Sequence, residues 1–224
     1  MTDIVEIHVD GELPRAPDNR QAAEVHVLIE ATRLLMRKVA TTDASPEALS
    51  AASSAIAEVM TLLGDEQHDH VLRIPFDNRE IRRVHAGMPW TMFPFNPMGI
   101  PLNIEVEGSA ARAELTPDAL FEGPPGLLHG GFSAAMLDAL LGTLVHAQGQ
   151  PAYTGGLDFR FIRPTALHVP IVMEGRVLKT VGRKSYAEGW LSQGGERTVY
   201  VTGLFVQPVR RNDQENPTSV GGVT

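Results

Sequence analysis

Between His129 and Gln148 the chain reads HGGFSAAMLDALLGTLVHAQ, and this stretch limits the possible folds more than any other. Its length and apolar run predict a helix, yet Phe132, Ala134, Ala135, Met136, Leu137, Ala139, Leu140, Leu141, Leu144 and Val145 leave that helix no polar face. A helix that is apolar all round has to be covered nearly all round, so it belongs at the centre of its fold. Ser133, Asp138, Thr143 and His146 interrupt the run, which argues against a membrane span. Asp138 raises a second question, because a buried carboxylate without partners is costly. Either the fold satisfies it or it has a chemical task.

The flanking sequence has the grammar of strands. Leu102 to Val106 and Ala111 to Leu115 are short strand candidates around Glu107-Gly108-Ser109, and Thr116-Pro117-Asp118 starts a brief helical turn. After the helix come four β-rich segments, Tyr153 to Ile162, His168 to Thr180, Lys184 to Ser192 and Thr198 to Gln207, separated by Pro164, Gly182-Arg183 and Gly194-Gly195. Val169, Ile171, Met173 and Val177 alternate with Glu174 and Arg176, as in a strand buried on one face. Gly155-Gly156 is a candidate bulge, which leaves open the face that Thr154 occupies. The pattern predicts an α+β domain, an antiparallel sheet curled around one helix.

Upstream, Val25, Leu28, Leu35 and Val39 recur at helical spacing from Asn19 to Ala40. Ser45-Pro46-Glu47 starts a second helix with Leu49, Ala52, Ile56, Val59 and Leu63 on one face and Gly64 as its stop. Together they read as a helical hairpin. Residues 65–98 read as a connector wrapping across a body, residues 1–18 as a loose arm and the tail from Arg210 as disordered. The expected division is an arm, hairpin and connector over 1–92, a sheet domain over 93–208 and a tail over 209–224.

Of the 224 residues none is cysteine, which removes disulfides, thiolate nucleophiles and thiolate metal sites. The net charge of −8 argues against non-specific binding to nucleic acid. MTDIVEIHVDGELPRAPDNR has no basic region followed by an apolar core, so the expected setting is cytoplasmic. His68-Asp69-His70 lacks a third ligand at a telling distance and reads as a solvated loop, so no metal site is expected. Neither a Gly-x-Ser-x-Gly elbow nor a phosphate-cradling glycine loop is present.

His129-Gly130-Gly131, with Asp138 nine positions after the histidine and Gly123-Pro124-Pro125-Gly126 before it, resembles the hotdog-fold acyl-CoA thioesterases of the phenylacetyl-CoA and 4-hydroxybenzoyl-CoA type. Asn96-Pro97-Met98-Gly99 and TGGLDFRFIRP from Thr154 to Pro164 extend the likeness, which covers roughly residues 93 to 208. The resemblance implies a hotdog dimer, or a dimer of dimers, that hydrolyses an acyl-CoA with no cofactor beyond the coenzyme A of the substrate. It implies a backbone oxyanion donor at Gly130, where helix N–H groups point outward. Asp138 then attacks the carbonyl or activates water, two roles left open, and Thr154 holds the carboxylate or the water.

Eight residues of helix span ~12 Å, too far for Gly130 and Asp138 of one chain to meet one carbonyl carbon. The site therefore needs two chains, and a two-fold dimer gives two equal sites. His129, Gly131, Asn96, Arg160 and Arg163 complete the expected substrate-binding set. His129 is read as a cap or packing residue, and Arg160, Arg163, Arg183 and Lys184 are candidates for the coenzyme A phosphates. Where several relatives carry a polar Asn or Gln this chain has Gly123, leaving Glu122 or Asn96 as replacements, and Asp158 stands where relatives often have Asn. A non-catalytic acyl-CoA-binding or regulatory module is the alternative. A hydratase is disfavoured, because no histidine is paired with an acid on this helix.

Overall fold

The computed structural model describes residues 19–72, 83–84, 86–149 and 151–208. The expected arm, the expected tail and part of the connector lie outside these residues. Two helices come first, α1 (Asn19–Ala40) and α2 (Pro46–Leu63). Then follow β1 (Trp90–Thr91), β2 (Asn103–Glu107), β3 (Ala110–Leu115), a 3-10 turn (Ala119–Phe121), α3 (Gly130–Ala147), β4 (Tyr153–Phe161), β5 (Ile171–Val181), β6 (Lys184–Gln193) and β7 (Glu196–Val206). The strands form one antiparallel sheet in the order β1-β2-β3-β5-β6-β7-β4. The predicted sheet around a central helix is the observed architecture.

The sheet accommodates α3 by withholding side chains beneath it. Met136, Leu137, Leu140, Leu141 and Leu144 are fully buried against a floor that includes Ile104, Ile171, Met173, Leu191, Val201 and Phe205. Gly175 and Gly189, paired across β5 and β6, lie directly under the helix. A Cβ on Gly175 would stand 2.6 Å from Leu141 Cδ2, and one on Gly189 3.3 Å from the same atom. By length and composition α3 could cross a bilayer, yet half of it is packed inside the sheet.

Cover is nevertheless one-sided, unlike the expectation. Gly131 and Ala135 are exposed and Asp138 and Gly142 half-buried, and at about 100° per residue these four share one stripe. The helix was expected to be covered nearly all round, and the single chain leaves this stripe open.

Three details differ from the sequence reading. β1 lies within the expected connector, where two residues pair with Ile104 and Asn103; so short a strand has no period to read. Val169 precedes β5 and is exposed rather than buried in alternation. The two N-terminal helices do not close as a packed hairpin, since none of the α2 residues is buried and α1 packs instead on the 3-10 turn.

What fixes α1 is a buried arginine. Arg33 Nη2 donates to the carbonyls of Phe93 at 2.7 Å, Asn96 at 2.9 Å and Gly99 at 3.2 Å, while Nη1 pairs with Glu30. Arg37 Nε reaches Asp118 Oδ2 at 2.7 Å. This side of α1 faces the body, and the Leu28, Leu35 and Val39 stripe is turned to solvent.

The far end of α3 is tied to β4 through His146. Its Nδ1 lies 2.9 Å from the Gly142 carbonyl and its Nε2 accepts the Ala152 N–H at 3.3 Å, so the assigned ring is neutral with the proton on Nδ1. Burial pushes this imidazole below the ordinary histidine value, against the opposing pull of the Gly142 carbonyl. A depressed folded-state value favours the neutral ring. The stabilisation is complete above the unfolded-state value of about 6.5 and is lost as pH falls through the folded value. The unfolding midpoint should therefore drop as pH is lowered below about 6.5, and His146→Asn should flatten that slope in thermal melts. An unchanged slope would discard the role assigned to His146.

Candidate functional site

Helix α3 begins where the residues before it leave only one conformation. Gly123 lies against the next turn of chain, so that a Cβ there would stand 2.8 Å from His129 Cα. A side chain of any kind at this position would meet the His129 backbone, which accounts for the glycine. Glu122 beside it is engaged locally, its Oε1 accepting the Gly126 N–H at 2.6 Å and closing the turn. His129 N–H donates to the Phe121 carbonyl at 2.9 Å, and the Phe121 and Phe132 rings meet edge to face at 5.2 Å.

The first-turn donors can be accounted for one by one. His129 is the N-cap, and its Nδ1 accepts the Gly131 N–H at 3.0 Å. The N–H groups of Phe132 and Ser133 return to the His129 carbonyl at 3.0 and 3.2 Å. Among the described residues the Gly130 N–H makes no protein hydrogen bond. It is thus the first-turn donor left to face outward, at the positive end of the helix. The Phe161 ring lies beside it, 3.2 Å from where a Gly130 Cβ would stand.

Asp138 sits two turns further along. Its Oδ1 accepts the Thr154 hydroxyl at 2.7 Å, and no ion pair reaches it among the described residues. A bulge in β4 makes this contact possible. Phe159 opposes Val201, Leu157 opposes Gly203 and Gly156 opposes Leu204, after which the register skips Gly155 and Thr154 opposes Phe205. Unbroken alternation would point Thr154 away from α3, whereas the extra residue returns it to the helix side. A Cβ on Gly155 would stand 3.0 Å from Val206 Cγ2, so the skipped position has little room for a side chain.

The other expected substrate-binding residues have contacts of their own within the chain. Arg160 and Asp158 pair with Tyr200 and Thr202 on the sheet face turned away from α3. That face carries Arg176 Nε on Glu188 at 2.6 Å, the Tyr200 hydroxyl on Glu188 at 2.5 Å and Arg197 over the Trp190 ring at 4.3 Å. A shallow depression lined by Gly156, Asp158, Tyr186 and Thr202 opens there too, on the opposite side from Asp138. Arg163 pairs with Glu196. Asn96 accepts the Met98 N–H at 3.0 Å within the loop that Arg33 holds. His68, Asp69 and His70 are exposed, and no metal-holding cluster of acids and histidines occurs among the described residues.

Sequence reasoning missed two features. Phe161 beside Gly130 carried no signal beyond strand alternation. Arg33 did leave one, as a cation with Ile29 and Met36 three or four residues to either side.

Residues 125–202 match the family model of the thioesterase superfamily. The fold is a hotdog, and the likeness read from His129-Gly130-Gly131 and Asp138 is borne out. The solved structure of protein RHA08564, a thioesterase superfamily protein, aligns at TM-score 0.67 and 27% identity over 81% of this chain and 94% of that one. Acyl-coenzyme A thioesterase THEM4 of Bos taurus is 36% identical over 88 residues, which are 38% of this chain and 36% of that protein. Acyl-coenzyme A thioesterase THEM5 of Homo sapiens is 31% identical over 93 residues, 41% of this chain and 38% of its own length. These matches span little more than a third of the two curated relatives.

Proposed function

We propose that this protein hydrolyses an acyl-CoA thioester at sites shared by two copies of the chain. The supporting observation is the Thr154–Asp138 pair at the middle of α3, on the same open stripe as Gly131 and two helical turns from the unpaired Gly130 N–H. The names of the relatives support the substrate class.

Strand β4 supplies the geometry of the dimer. Among the described strands it pairs only with β7, so its other edge is open. Thr154, beside Asp138, and Phe161, beside Gly130, both lie on its inner face. If β4 pairs antiparallel with the β4 of a second copy about a two-fold near Asp158, Thr154 of one chain falls opposite the Phe161 end of the other. Adjacent strands lie only ~4.8 Å apart, so Asp138 of one copy is brought to the Gly130 amide of its partner. The same docking covers the open stripe of α3.

In this site the Gly130 N–H and helix dipole receive the negative charge that develops on the carbonyl oxygen. Asp138 acts in one of two balanced ways. It takes a proton from water while the hydroxide adds to the carbonyl carbon, and returns that proton to the departing coenzyme A thiolate. Alternatively its oxygen attacks the carbon, expels the thiolate and forms a mixed anhydride that water then opens. Thr154 orients the carboxylate, and neither route calls for a metal or a redox group. Residues 93–208, with the β1 pair, form the catalytic unit and the helical extension is accessory to it.

A panel of acyl-CoA thioesters of varied chain length and aromaticity, assayed for release of free coenzyme A, tests this directly. Turnover of at least one member is expected. Tight binding with no turnover of any member would instead identify an acyl-CoA-binding module.

A further inference from the structure

We propose that α2 of one copy packs antiparallel against α1 of a second copy, so that the helical extensions are exchanged between chains. Leu49, Val59, Met60 and Leu63 of α2 are exposed, and with Ala52 and Ile56 they form a single stripe. No residue of α2 is buried, although the helix is fully capped by Ser45 and Gly64. On α1, Leu28, Leu35 and Val39 form a second exposed stripe, distinct from the side that Arg33 holds to the body. Water disfavours both surfaces, and they match one another. An antiparallel register that sets Leu35 against Ile56 also sets Leu28 against Leu63 and Val39 against Ala52.

Charge agrees with this direction. The acidic first turn of α2 (Glu47) comes to the basic last turn of α1, which carries Lys38. It argues equally against a lipid surface as the occupant, since interfacial helices use Lys and Arg on their polar face and α2 has neither.

The joint between the helices explains why the second stripe comes from another molecule. Thr41 N–H returns to the Arg37 carbonyl at 3.1 Å, Ala44 N–H reaches Thr42 Oγ1 at 3.2 Å, and Ser45 is extended before it caps α2. The open joint thus satisfies its own polar groups while α2 stands clear of its own α1. Exchange of this kind is a low-cost route to symmetric pairs.

The chain has no cysteine, which makes introduced thiols an unambiguous probe. The full-length double variant Leu35→Cys/Ile56→Cys, oxidised at low protein concentration and run under non-reducing denaturing conditions, is expected to give a disulfide-linked dimer. Leu28→Cys/Leu63→Cys should do the same if the register is correct. A covalently closed monomer would show that the helices fold back within one chain, and absence of any cross-link in both variants would show that these stripes do not meet. Either result overturns the proposal. The readout is independent of turnover, so it stands or falls apart from the thioesterase assignment.

Discussion

Asp138→Asn is expected to lower kcat by about 10²- to 10⁴-fold, the range for a positioned acid or base, while the affinity for acyl-CoA should stay near that of the parent. The amide has the shape of the carboxylate and its oxygen still accepts the Thr154 hydroxyl, so the helix should remain folded and the unfolding midpoint should barely move. Thr154→Val separates the two partners of the 2.7 Å contact. Hydrogen bonds to charged groups contribute about 1.5–3 kcal/mol, and at about 1.4 kcal/mol per tenfold the valine is expected to lower kcat by roughly 10- to 100-fold. Steady-state rates of the two variants beside their melting curves check both numbers. A fully active Asp138→Asn enzyme would move the chemistry to another group.

Complementation between inactive variants gives the other large effect. Gly130→Ala places a methyl 3.2 Å from the Phe161 ring and crowds the approach to the amide, so it should be nearly inactive alone, as should Asp138→Asn. In a mixed dimer one site inherits both lesions and the other inherits neither. Equal mixing after reversible dissociation should therefore restore activity to roughly a quarter of the parent, because about half of the dimers are mixed and each carries one intact site. If Gly130 and Asp138 of a single chain served one substrate, mixing would restore nothing. Co-expression with two different affinity tags isolates the mixed species and makes the distinction quantitative.

Much of this architecture was legible because several signals agreed. The central helix declared itself through its missing polar face and its glycine start. Ser45 and Pro46 marked the beginning of α2, and the glycine turns separated the last three strands. What escaped depended on distant partners. β1 is a strand only because β2 lies beside it. The docked side of α1 is decided by three carbonyls some sixty residues away, not by its most regular apolar spacing. Within the site, the spacing of Asp138 from His129-Gly130-Gly131 could be read directly. The face of Thr154 could not, because it depends on how β7 registers against the double glycine. The tie between Glu122 and Gly126 likewise needed the folded turn.

The skipped residue in β4 has a wider implication for how a chain of this fold can be altered. In a pleated ribbon, orientation is a matter of parity: one residue more or fewer turns every later side chain over while the hydrogen-bonded frame stays where it was. Here a single glycine outside the ladder sets the direction of one hydroxyl, and the apolar layer beneath the helix need not shift to accommodate it. Loss of function by deletion at that spot would thus be compatible with an almost intact scaffold, a toggle written in chain length instead of residue type.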